Sequence, residues 1–258
     1  MSRLRADQLS LRLRGRTVLR SVSADFAPGT LTVILGPNGA GKSSLLACLA
    51  GLVHTESGGV TLGGTSVLDM SASRRARHIG LLTQNADIHW DIDVRALVAL
   101  GRLPHQGRWG RSAADEAAID RAIARSDCVA LIHRRARQLS GGEQARVLLA
   151  RVLAGEPDWL LADEPLANLD PAHQLGAMAC LRAVADSGIG VVLVLHDLTQ
   201  AARIADSIVM LHEGEVTAAG TPAEVLTPDL LARVFAIRAH VGADEAGHPL
   251  ITPLARIV

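Results

Sequence analysis

Leu31-Thr32-Val33-Ile34-Leu35-Gly36-Pro37-Asn38-Gly39-Ala40-Gly41-Lys42-Ser43-Ser44 is the stretch that decides the fold. Its first five residues are a β-branched, apolar run that stops at a glycine, which predicts a buried strand. The next eight have the Gly-x-x-x-x-Gly-Lys-Ser spacing of a phosphate-binding P-loop. In such a loop backbone N–H groups cradle the phosphates, the lysine reaches the β and γ oxygens, and the serine hydroxyl ligates Mg²⁺. From Ser43 onward the pattern predicts a helix whose N-terminus faces the anion. Lys42 is the single lysine of the chain, against 25 arginines. A compact ammonium fits among phosphate oxygens where a planar, forked guanidinium does not. The stretch therefore predicts a site for a nucleoside triphosphate.

Two further apolar runs end in polar residues: Trp159-Leu160-Leu161-Ala162 at Asp163, and Val191-Val192-Leu193-Val194-Leu195 at His196. In a parallel α/β sheet, ligands bind outside the carboxyl ends of strands, so Gly36, Asp163 and His196 are predicted to converge. Between these strands the sequence turns Ala- and Arg-rich with helical spacing, as in 113–126 and 143–154, which predicts an inserted helical subdomain. A short helix is expected around Asp229 to Phe235. Beyond it the turn Gly242-Ala243-Asp244-Glu245-Ala246-Gly247, flanked by apolar runs, predicts a β-hairpin. The expected division is a core of residues 1–87 and 156–225, a helical subdomain of 88–155, and a C-terminal helix and hairpin of 226–258.

Composition narrows the classes. The 258 residues suffice for one large core with a small subdomain. The formal charge of zero gives no basic excess that would point to nucleic acid as a partner. The apolar run 191–195 is far short of the roughly 20 residues of a membrane-spanning helix. Met1 to Ser10 lacks a following apolar segment, so no signal peptide is expected. Cys48, Cys128 and Cys180 are scattered and odd in number, which predicts reduced packing thiols rather than a disulfide frame. His240, Asp244, Glu245 and His248 match no compact metal spacing and are expected to form a solvated turn.

Leu139-Ser140-Gly141-Gly142-Glu143-Gln144 opens a predicted helix. Ser140 and Glu143 satisfy a capping box, but that does not explain the glycines. Each costs about 0.8–1 kcal/mol against Ala in a helix, which is tolerable where something must approach the backbone closely. A γ-phosphate at the helix N-terminus is such a group. Asp163 offers a hard oxygen ligand to Mg²⁺ opposite Ser43, and Glu164 next to it points differently and can polarise an attacking water.

Together these features make the chain resemble the ATP-binding cassette (ABC) ATPases over nearly its whole length. Gly36 to Ser43 resembles their Walker A motif, and Ser140 to Gln144 their signature motif. Leu160 to Asp163 with Glu164 resembles Walker B and its catalytic glutamate. Gln84, after Leu81-Leu82-Thr83, sits where the Q-loop glutamine belongs; Asn168-Leu169-Asp170 resembles the D-loop, and His196 the switch histidine. The resemblance implies a P-loop NTPase (RecA-like) α/β core with an N-terminal antiparallel β region and an inserted helical subdomain. It implies ATP and Mg²⁺ as ligands, with Ser43, Gln84 and Asp163 toward the metal and Glu164, His196 and Gln84 catalytic. It also implies a head-to-tail homodimer in which Ser140, Gly141, Gly142, Glu143 and Asp170 of one chain face the nucleotide of the other. Family members usually stack adenine on an aromatic residue ahead of the P-loop. Here Leu13 takes that position and the chain has no tyrosine, so adenine is expected on Leu13, Val18 or an Arg plane.

At a finer level Val98-Ala99-Leu100-Gly101-Arg102-Leu103-Pro104-His105 with Trp109, the phrase Asp163 to Asp170, and the short tail resemble importers of iron–siderophore chelates, haem and cobalamin. That implies a peripheral subunit on the cytoplasmic face of the cell membrane. It would dock on a separate permease through a groove near Gln84, Ile88, Trp90 and Val94, and serve indirectly a substrate-binding protein. The alternatives are a soluble ABC ATPase of DNA repair or the ribosome, and an exporter subunit. Repair members carry a long coiled-coil insertion; here only about 100 residues separate P-loop and signature, without sustained heptads.

Overall fold

The structure is a computed structural model and describes residues 2–83, 91–107, 110–167 and 169–257. The chain begins β1 (Leu4–Leu13), β2 (Arg16–Phe26), β3 (Leu31–Leu35), α1 (Lys42–Leu49), β4 (Ser57–Leu62), β5 (Thr65–Ser66), α2 (Ala72–His78) and β6 (Ile79–Leu82). A helical stretch follows: α3 (Val94–Ala99), α4 (Ala113–Arg125) and α5 (Gly141–Ala154). Then come β7 (Trp159–Asp163), α6 (Pro171–Asp186), β8 (Gly190–Val194), α7 (Leu198–Ile204), β9 (Ser207–His212) and β10 (Glu215–Gly220). The chain closes with α8 (Pro222–Val225), α9 (Pro228–Phe235), β11 (Ile237–Ala243) and β12 (Pro249–Arg256).

A six-stranded sheet, ordered β10-β9-β3-β8-β7-β6, is parallel except for β10 at its edge. Its central strands are buried on both faces, which is why they read as unbroken apolar runs. Leu31, Val33, Leu35, Leu160, Ala162, Val191 and Leu193 face one core, and Ile34, Trp159, Leu161, Val192 and Val194 face another. An antiparallel sheet, ordered β2-β1-β4-β5, covers the second core. Helix α1 lies between the two sheets and buries Leu45, Leu46, Cys48 and Leu49. The P-loop at its N-terminus is therefore clamped from both sides.

The helical stretch packs α3 and α4 on α5. Its centre is ionic: the buried Arg102 gives Nε to Asp115 Oδ1 at 2.8 Å and Nη1 to the Ala154 carbonyl at 2.9 Å. Asp115 also accepts the Ser112 backbone N–H, and that bond, followed by Arg102, holds its carboxyl down at about 2. Val94 is fully buried in this region, so it packs within the chain and does not line a docking groove. Gln84, Ile88, Trp90, Trp109 and Asn168 lie outside the described residues.

The C-terminal hairpin β11–β12 forms as expected. It is stitched to α7 by Thr199 Oγ1, which donates to and accepts from Ile251 backbone groups at 3.0 Å, and by Arg203 with Asp244 at 2.8 Å. Asp244 also accepts the N–H groups of Ala246 and His248, so the turn itself engages this carboxylate. Burial pushes the thiols of Cys48 and Cys128 up to about 11, and raises that of Cys180. Among the described residues no helix is long and apolar enough to cross a membrane.

Candidate active site

The P-loop is shaped by close backbone packing. A Cβ on Gly36 would stand 2.2 Å from the Leu211 carbonyl, and one on Gly41, at φ +99°, 2.7 Å from Leu19 Cδ2. Only glycine allows both approaches. Lys42 is buried and donates from Nζ to the carbonyls of Gly36 at 2.8 Å and Pro37 at 2.9 Å. Burial pulls its pKa below the usual lysine value, while the charges of Glu164 and Asp163 oppose that shift. Asn38, Gly39 and Ser43 are exposed at the rim; Ala40 is buried beneath them.

Asp163 ends β7 beside Val194 of β8. Burial raises its carboxyl pKa, while a hydrogen bond to Ser43 and the charges of Lys42 and His196 hold it back. Its Oδ1 is buried without a hydrogen-bond partner. An unpartnered buried carboxylate oxygen is costly, and a hard cation held between it and the Ser43 hydroxyl satisfies it. This donor set fits Mg²⁺. Glu164 follows in the left-handed region at φ +51°, a conformation that costs a non-glycine residue roughly 1–3 kcal/mol and clusters at functional sites. The backbone is fixed there by Glu164 N–H to the Val194 carbonyl and by Ala167 N–H to the Glu164 carbonyl, both 3.1 Å. Its side chain meets His196 Nε2 in a short hydrogen bond.

The structure thus brings together Lys42, Ser43, Asp163, Glu164 and His196 at the carboxyl ends of β3, β7 and β8. Leu13 lies 42% exposed beside the Arg14-Gly15 turn, and Val18 is half-buried with its carbonyl against Gly41. The Ser140 turn is built differently. Its capping box is formed, with Ser140 Oγ accepting the Glu143 N–H at 3.3 Å and the Glu143 carboxylate accepting the Ser140 N–H at 2.8 Å. Those bonds, with Arg134 on Glu143, keep the Glu143 carboxyl below its ordinary range. Within this chain the turn meets Arg134 and His173: a Cβ on Gly142 would stand 2.5 Å from His173 Cδ2. The approach that a glycine here permits is, at Gly142, made by a side chain of the same molecule. Asp170 caps α6, and bonds from the His173 backbone and ring lower its pKa.

Sequence reasoning missed His173, and it missed Gln174 and Gln200, whose amides join α6 to α7 at 2.8 Å. Asp170-Pro171 does announce the start of α6, but no local pattern announces which neighbour a side chain at its third position meets.

The family described as ABC transporter matches residues 19–167. The chain belongs to that family, and it binds and hydrolyses ATP. It is 41% identical over 257 residues to the hemin import ATP-binding protein HmuV of Bordetella parapertussis, covering 96% of each chain. It is 39% identical over 261 residues to the ferric enterobactin transport ATP-binding protein FepC of Escherichia coli, covering 99% of this chain and 96% of that one. To the cobalamin import ATP-binding protein BtuD of Halobacterium salinarum it is 42% identical over 248 residues, covering 95% of this chain and 62% of that one. In fold it is similar to a metal-chelate type ABC transporter in an inward-facing conformation, with TM-score 0.85 at 23% identity over 99% of this chain and 98% of that one.

Proposed function

We propose that this chain is the ATP-hydrolysing subunit of an importer that takes up an iron chelate, haem or cobalamin through a separate membrane permease fed by a substrate-binding protein. The observation that carries the reading is likeness at about two-fifths identity, along nearly the whole chain, to import subunits for hemin, enterobactin iron and cobalamin. On this reading the protein sits peripherally on the cytoplasmic face of the membrane.

The loop Gly36 to Ser44 wraps the phosphates, and the Lys42 ammonium moves from the Gly36 and Pro37 carbonyls onto the β and γ oxygens. Ser43 and Asp163 would hold Mg²⁺, together with Gln84, which lies outside the described residues. When bound there, Mg²⁺ neutralises charge on the phosphate oxygens. Glu164 turns from His196 to take a proton from the attacking water, and His196 donates to the γ-phosphate. Leu13 and Val18 flank adenine. The Ser140–Glu143 turn is bonded by Arg134 and packed on His173, which supports a head-to-tail pair in which it and Asp170 complete the site of a second copy. ATP then favours the closed pair, and hydrolysis removes that preference.

The test is co-purification of the tagged Glu164→Gln protein with ATP from detergent-solubilised membranes, partners being identified by mass spectrometry. A multi-span permease is expected, and the chelate held by its binding protein then names the cargo. Recovery of only soluble partners, ribosomes or DNA would overturn the importer.

A further inference from the structure

One imidazole joins two parts of the proposed interface that sequence spacing leaves separate. Asp170 caps helix α6, and His173 is the helix's third residue. Asp170 Oδ1 accepts the His173 backbone N–H at 3.0 Å, and Oδ2 pairs with ring Nδ1 at 2.6 Å. The ring is thus held on its Nδ1 side by the capping carboxylate. Its far edge lies against the first turn of α5: a methyl group on Gly142 would stand 2.5 Å from Cδ2 and 2.9 Å from Nε2. Gly142 is therefore the size the ring demands.

The turn it touches is stiff. Glu143 and Ser140 cap each other, Arg134 bonds Glu143, and Arg134 Nη2 donates to the Gln138 carbonyl at 2.9 Å. Pressure from the ring is accordingly passed to the whole turn. Nearby, α5 and α6 line a cavity of about 490 Å³ with Ala145, Leu149, Gly176 and Ala177 on its walls. With that void between the two helices, the His173–Gly142 contact is placed to set their relative position.

We infer that His173 is a positioning residue that holds Asp170 and the Ser140–Glu143 turn in one register, so that both meet the nucleotide bound by a second copy of the chain together. This rests on the proposed nucleotide-sandwiching pair. His173 touches neither ATP nor the reacting atoms; it acts through the two groups it joins.

Two substitutions separate its two contacts. His173→Asn keeps an amide donor near Asp170 and removes the ring from Gly142; His173→Leu keeps bulk against Gly142 and removes the donor. Each is made in full-length Glu164→Gln protein, and ATP-driven dimer formation is followed by sedimentation. Nucleotide affinity of the dilute monomer is measured separately with a fluorescent ATP analogue. Both variants are expected to need about tenfold more ATP for half-maximal dimer, within the usual range of coupling between sites, with monomer affinity and thermal midpoint unchanged. Dimerisation of either variant at the parent's ATP concentration would overturn the inference, as would a parallel loss of monomer affinity. Failure of the Glu164→Gln parent itself to dimerise with ATP would instead sink the sandwich reading, and the inference with it.

Discussion

Burial acts on Lys42 and Asp163 in opposite directions on the pKa scale, and for one reason: each charge is disfavoured away from water. The lysine is pulled down and the aspartate pushed up, so both are poised for a ligand that brings compensating charge. Glu164 is different, since its strained backbone aims it at His196. Glu164→Gln keeps shape and hydrogen bonding but cannot take a proton. It is expected to lower kcat by about 10²–10⁴, the usual range for a general base, while ATP binding measured by equilibrium dialysis stays at the wild-type level. Equal loss of both would assign Glu164 to binding. The adenine end carries a second expectation. Leu13 and Val18 offer apolar contact without a ring face or base-reading hydrogen bond, so KM for ATP and GTP should be comparable. A preference for ATP above about tenfold, or ~1.4 kcal/mol, would show that another group reads the base.

Elements were legible where one local rule dominated. The continuous apolar runs gave β3, β7 and β8, the glycine spacing gave the P-loop, and the Gly242–Gly247 turn gave the terminal hairpin. Contacts between elements were not, because nothing local to Gly142 specifies His173 and nothing local to Arg102 specifies Asp115. Val94 shows the same limit from the other side: an apolar residue placed at a groove lies inside the helical core. The Arg102–Asp115 pair gives a prediction at this scale. Asp115 has a folded pKa of about 2, below its ordinary 3.8, so its ionised form adds stability above pH 4 that is lost as pH falls toward 2. Asp115→Asn leaves Arg102 buried without its closest carboxylate and should melt below wild type at pH 7. The gap should narrow as pH falls from 4 to 2, because the unfolded carboxyl takes up its proton near 3.8 while the folded one holds its charge until about 2. Scanning calorimetry across that range checks it, and a gap independent of pH would mean that packing, not charge, is what Asn disturbs.

For the whole molecule the deciding fact is that two halves of the expected catalytic machinery sit on different parts of one chain. Lys42, Ser43, Asp163, Glu164 and His196 gather at the strand ends, whereas the Ser140–Glu143 turn bonds Arg134 and packs on His173. A chain that carries both halves without joining them is incomplete alone and complete as a pair, provided the second copy presents its turn to the first copy's P-loop. Mass action then governs turnover, because the active species forms from two chains. At saturating ATP and Mg²⁺, specific activity is expected to fall on dilution and level off at high protein concentration. Sedimentation of the Glu164→Gln protein with ATP should place the dimer in the same concentration range. Activity per chain that stays constant throughout dilution, with only monomer present, would show that one chain completes its own site. The Ser140 turn would then have to swing to its own P-loop, breaking the His173 contact on the way.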